Sequence, residues 1–97
     1  MKINKQTLRE LAWLRVGEQL DGWTVVKDKI VDHRRWTVAH EMVIKNDKDE
    51  YYSTYYEVGA TESQDTRPYE YEEEEVEVYP VYPKTVEKVI YVQAKDL

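Results

Sequence analysis

There is no cysteine in this chain of 97 residues, and no phenylalanine; it has three glycines, three prolines and two histidines. Without a thiol there is no disulfide frame, no thiolate zinc site and no cysteine nucleophile, a composition that suits a reducing cytosol. Gly17, Gly22 and Gly59 stand too far apart for a phosphate-cradling loop or a dinucleotide fingerprint. His33 and His40 do not form the helical His-x-x-x-His pair that holds zinc. Ser53 and Ser63 lie in no nucleophile-elbow setting. Asp47-x-Asp49-Glu50 lacks the glycine and the distal glutamate of a calcium loop. Twenty acids always supply carboxylate pairs, but none is set in an apolar pocket that would raise a pKa. No apolar run approaches the ~18 residues a membrane span requires. The stretch Met1-Lys2-Ile3-Asn4-Lys5 has no apolar core of the kind a secretory signal carries. The expectations are therefore no enzyme, no cofactor, no metal, no membrane and a cytoplasmic location.

What is present is charge and tyrosine. Hydrophobic residues make 41% of the chain and charged ones 35%, which is globular at the polar end and enough for one domain, residues 1–97. A chain this short buries only about 60–65% of the surface its unfolded form exposes, so its core is shallow. Residues 1–48 carry ten Lys/Arg and seven Asp/Glu, net +3; residues 49–97 carry four and thirteen, net −9. The second half repels DNA phosphates and attracts basic surfaces, so direct nucleic-acid binding through it is not expected. Nine tyrosines and three tryptophans pair an apolar body with a polar tip, suiting either a shallow core or an interface.

Thr7-Leu8-Arg9-Glu10 has the form of a capping box, Leu8, Leu11 and Ala12 share a helical face, and Gly17 is a natural stop, predicting a helix over residues 7–16. After the Asp21-Gly22 turn signal the period changes to two. Residues 23–26 and 30–31 read as a strand with a break or bulge at Asp28-Lys29. Residues 36–45 alternate cleanly, with Trp36, Val38, His40, Met42 and Ile44 on one face. The polar turn at 46–49 returns the chain into residues 51–58, an antiparallel neighbour with Tyr52, Thr54, Tyr56 and Val58 on one face. A loop follows from Gly59 to Arg67, then a strand from about Glu74 to Tyr79. Pro80 and Pro83 mark an edge or kink. Residues 86–93, apolar on both faces, read as a final strand. The predicted fold is α+β, one N-terminal helix packed on an antiparallel four- or five-stranded meander sheet. Its expected core is Trp23, Val25, Trp36, Val38, Met42, Ile44, Val89 and Ile90, covered by Leu8 and Leu11. His40, on the apolar face, reads as a hydrogen-bonded structural histidine.

The most distinctive feature is the acidic run from Glu72 to Glu77. In a strand, alternate carboxylates would stand about 6.7 Å apart on one face. Such a row, flanked by Tyr69, Tyr71 and Tyr79, could occupy a basic nucleic-acid groove; it could equally be a solvated edge whose charge prevents sheet-to-sheet pairing.

The segments Gly17-Glu18-Gln19-Leu20-Asp21-Gly22-Trp23-Thr24-Val25-Val26, Ile30-Val31-Asp32-His33-Arg34-Arg35-Trp36 and Tyr55-Tyr56-Glu57-Val58-Gly59-Ala60-Thr61-Glu62-Ser63-Gln64-Asp65 resemble a group of small uncharacterised proteins encoded by tailed bacteriophages and prophages. The resemblance covers most of residues 17–92 and rests on no catalytic motif. It implies an accessory protein acting in a bacterial host cell, a class in which small acidic members inhibit host defence and some imitate DNA. The expected function is an anti-CRISPR-like inhibitor. Its partner would be a host protein with a basic surface, a CRISPR effector nuclease or another nucleic-acid enzyme. Its expected contact residues are Asp65, Tyr69, Glu70, Tyr71, Glu72, Glu73, Glu74, Glu75 and Glu77. The alternative is a phage structural or assembly component that pairs by strand addition or homo-oligomerisation, a homodimer or other symmetric oligomer held by the Tyr51/Tyr55 face.

Overall fold

The structure is a computed structural model and describes residues 1–60 and 66–96. It is α+β. The elements are β1 (Lys2–Asn4), α1 (Lys5–Ala12), β2 (Gln19–Leu20), β3 (Trp23–His33), β4 (Thr37–Lys45), β5 (Tyr51–Gly59), β6 (Glu75–Glu77), β7 (Tyr79–Val81) and a final 3₁₀ turn, Ala94–Asp96. One antiparallel sheet has the order β2-β3-β4-β5-β7, a meander through its first four strands; β1 and β6 pair as a separate two-stranded sheet.

The turns follow local chemistry. Asp21 and Gly22 both have positive φ, 52° and 80°, as a two-residue hairpin turn that matches strand twist demands. At the next hairpin Asn46 Oδ1 accepts from the Lys48 and Glu50 amides, both at 3.0 Å, mimicking a strand carbonyl. Two bulges interrupt β3, between Val25 and Lys27 and between Ile30 and Asp32, rather than at Asp28-Lys29.

The helix departs from its expected bounds. Its cap is Asn4, whose side chain accepts from the Gln6 amide at 2.9 Å, so the Thr7–Glu10 capping box does not form. Helix and strand are joined without a gap because Lys5 N donates to Glu74 O at 2.6 Å, continuing the β1–β6 ladder. At its other end the helix stops at Ala12, since Gly17 N donates to Val25 O and Val25 N to Glu18 O, drawing residues 17 and 18 alongside β3. Trp13 is left 73% exposed.

The core lies between α1, the β1–β6 pair and one face of the large sheet. Ile3, Leu8, Leu11, Val25, Met42, Ile44, Tyr56, Tyr69, Val76 and Val78 form it. Full burial of a side chain the size of Leu8 or Leu11 contributes about 1.5–3 kcal/mol, more than a two-turn helix could supply for itself. Trp23 packs on the margin, its ring edge-on to Tyr52 at 5.8 Å. Four expected core residues are outside it, Val38 being half-buried and apart from the cluster. Trp36 is 56% exposed, with the Arg35 guanidinium 4.7 Å from its ring centroid. Val89 and Ile90 are 79% and 67% exposed, because residues 82–93 form no strand: β7 ends at Val81 and the chain runs on without a pairing partner. No helix among the described residues is long and apolar enough to cross a membrane.

Candidate functional site: an acidic ridge beside a tyrosine-lined groove

The acidic run is built in two parts. Glu72 to Glu74 lie outside any strand or helix, and only Glu75–Glu77 is strand. An even row of carboxylates along one long strand is therefore not what forms. The reason is that β6 pairs with three residues only: Lys2 with Glu77, Ile3 with Val76, Asn4 with Glu75. Val76 and Val78 turn inward, 8% and 0% exposed, and this anchors the run. Glu72, Glu73, Glu74, Glu75 and Glu77 remain outside.

Their charge is little compensated. Glu77 Oε1 takes the Met1 ammonium at 3.0 Å. Lys5 Nζ donates to the backbone oxygen of Glu72, at 3.0 Å, rather than to a carboxylate. Among the described residues the carboxylates of Glu73, Glu74 and Glu75 have no ion pair.

Next to the ridge, a groove of about 390 Å³ opens between the far ends of β3–β5 and the returning segment 66–72; Arg34, Tyr56, Glu57, Arg67, Tyr71 and Glu72 are among its walls. Arg34 is committed, bonding Asp32 at 3.3 Å and also Glu57. Tyr71 is 86% exposed, and Glu70 accepts from the Arg67 amide at 3.2 Å.

Below the groove lies a polar network. Asp28 accepts a hydrogen bond from the Tyr56 hydroxyl on one oxygen and meets His40 Nδ1 at 2.9 Å on the other. The His40 ring stacks on Tyr56 at 4.8 Å and 10°. Tyr69 is 5.5 Å from Tyr56 and shares a 2.9 Å hydrogen bond with Thr54. Burial, and then the bond to Asp28, pushes the Tyr56 hydroxyl well above the usual tyrosine range; burial does the same for Tyr69. Among the described residues no buried side-chain polar atom lacks a partner. His40 is thus engaged as a structural histidine.

On the opposite face of the sheet, Lys27 and Glu41 pair at 3.1 Å and Tyr55 donates to Glu41 at 3.1 Å. The Lys27 partner holds the Glu41 carboxyl below its ordinary value. No three His, Asp or Glu side chains among the described residues gather to hold a metal ion.

Of the expected contact residues, Glu70, Tyr71, Glu72, Glu73, Glu74, Glu75 and Glu77 are all exposed, and Glu70, Tyr71 and Glu72 line the groove together. Tyr69 is not part of it: at 3% exposure its ring is core, and its hydroxyl is used by Thr54. Asp65 lies outside the described residues. Arg34 and Glu57 join the surface only through folding, since a solvated basic loop and a strand residue carry no signal of shared position. Compared with known proteins, the chain matches no family model, no curated protein and no solved structure.

Proposed function

We propose that this protein is a non-enzymatic inhibitor that places its acidic ridge, Glu72 to Glu77 with Tyr71 beside it, on a basic nucleic-acid-binding surface of a host defence protein, an anti-CRISPR-like action. The observation that carries the reading is the set of exposed carboxylates on Glu73, Glu74 and Glu75, without an ion pair among the described residues and anchored by the buried Val76 and Val78. Like charges kept side by side cost stability, and a partner of opposite charge relieves that cost. Complementary charge speeds encounter and makes it sensitive to salt. The resemblance to phage accessory proteins supplies the host-cell setting.

The test is a triple variant, Glu73→Lys, Glu74→Lys and Glu75→Lys, which spares Glu77 and its bond to the N-terminus. Retained thermal stability with loss of capture of a CRISPR effector nuclease, and restored DNA cleavage by that nuclease, is the expected result. Full inhibition by a folded triple variant removes the ridge from the mechanism.

A further inference from the structure

Residues 82–93 leave β7 and form neither helix nor strand, yet their composition is that of a strand. Val86, Val89, Ile90, Tyr91 and Val92 are 69%, 79%, 67%, 96% and 53% exposed, so the arm does not rest on its own sheet. The radius of gyration, 16.2 Å, exceeds the roughly 12.5 Å of a compact chain this long. The large sheet also has an unfilled edge. β2 covers only Trp23 and Thr24 of β3, and residues 27–33 have no neighbour on their outer side among the described residues. Ile30 and Val31 on that edge are 50% and 45% exposed.

We infer that the arm of one copy adds as an antiparallel strand to the β3 edge of a second copy, and that the exchange is mutual. The edge offers seven residues and the last two thirds of the arm, residues 86–93, eight. One register satisfies both: Ile90 opposite Ile30, Val89 opposite Val31, Lys88 opposite Asp32, Glu87 beside His33 and Tyr91 over Lys29. It joins apolar to apolar at Ile90–Ile30 and Val89–Val31 and opposite charges at Lys88–Asp32. The two bulges and the charges of β3 restrict which strand can pair, while the stretch between the bulges stays regular for residues 90–93 to follow. Each copy contributes one arm and one edge, so a two-fold pair leaves neither unfilled. Two arms and two edges withdraw on the order of 1,500 Å² from water, within the range of stable dimers. The inference is independent of the acidic ridge, which lies on other elements.

The lack of native cysteine makes the test clean. Residues directly opposite in an antiparallel pair have Cα atoms about 4.5–5.5 Å apart, inside disulfide range. An Ile30→Cys chain and an Ile90→Cys chain, distinguishable by mass, are mixed and oxidised. A covalent heterodimer that outnumbers either self-pair is expected, together with a dimer by sedimentation of the native chain. Ile90→Pro, which blocks the ladder at a largely exposed side chain, should give a monomer with its thermal melt in the dilute limit unchanged. A native chain that sediments as a monomer at all concentrations overturns the inference. So does an intrachain link in the Ile30→Cys, Ile90→Cys double variant, which would assign the edge to the chain's own arm.

Discussion

Raising the pH above 10 probes the buried tyrosine pair directly. Tyr56 and Tyr69 are 6% and 3% exposed, and both hydroxyls keep their protons far above the ordinary value of 10.0. The cause is burial for both, with Asp28 adding to it for Tyr56. In the unfolded chain the same groups ionise near pH 10. A side chain whose folded pKa is raised contributes stability that is complete below the unfolded pKa and is lost as pH climbs toward the folded one. Each pH unit in that window removes about 1.4 kcal/mol per tyrosine, so two tyrosines between about pH 10 and 12 lose at most about 5.5 kcal/mol. Domains of this size hold about 5–15 kcal/mol in all, so cooperative alkaline unfolding is expected near the top of that window. Circular dichroism and tyrosinate absorbance followed together are the assay. Tyr56→Phe and Tyr69→Phe should each reduce the slope of stability against pH by about half. The reasoning is refuted if the double Phe variant keeps the native slope, or if all nine tyrosines ionise while the dichroism is unchanged.

Two further outcomes concern the core. Leu8→Ala removes a fully buried side chain that ties α1 to the sheet and should destabilise the protein by about 2–5 kcal/mol in urea unfolding. Asp28→Ala strips the shared acceptor from Tyr56 and His40; the expected cost is about 1–3 kcal/mol at neutral pH, seen as a lower urea midpoint at constant slope, with Tyr56 ionising at a lower pH than in the native protein.

The central hairpins were legible because their causes are local. A period of two over residues 36–45 and 51–58, and an asparagine that can close a turn at 46, need no distant partner to be read. The register that puts His40 opposite Tyr56 followed from that turn. Helix boundaries were less so. Thr7 has the residues of a cap around it, but Asn4 takes the role because β1 pairs with β6, more than seventy residues away in sequence. The arm shows the converse error: residues 86–93 have the composition of a strand and no partner among the described residues, and a strand exists only as half of a ladder. In the candidate site, the acidic run was plain to read, whereas the removal of Tyr69 into the core was not, since a tyrosine's sequence neighbours say nothing of the Thr54 hydroxyl that meets it.

The sequence by itself determined the absence of thiol chemistry, the negative second half, the hairpin turns and the alternating faces, all properties of composition or of a few adjacent residues. Tertiary structure alone decided which glutamates stay unpaired, where the helix begins, and that Asp28, His40 and Tyr56 form one network. Those outcomes depend on which distant backbone groups find each other, because hydrogen-bond ladders and burial are settled by pairing across the chain rather than along it.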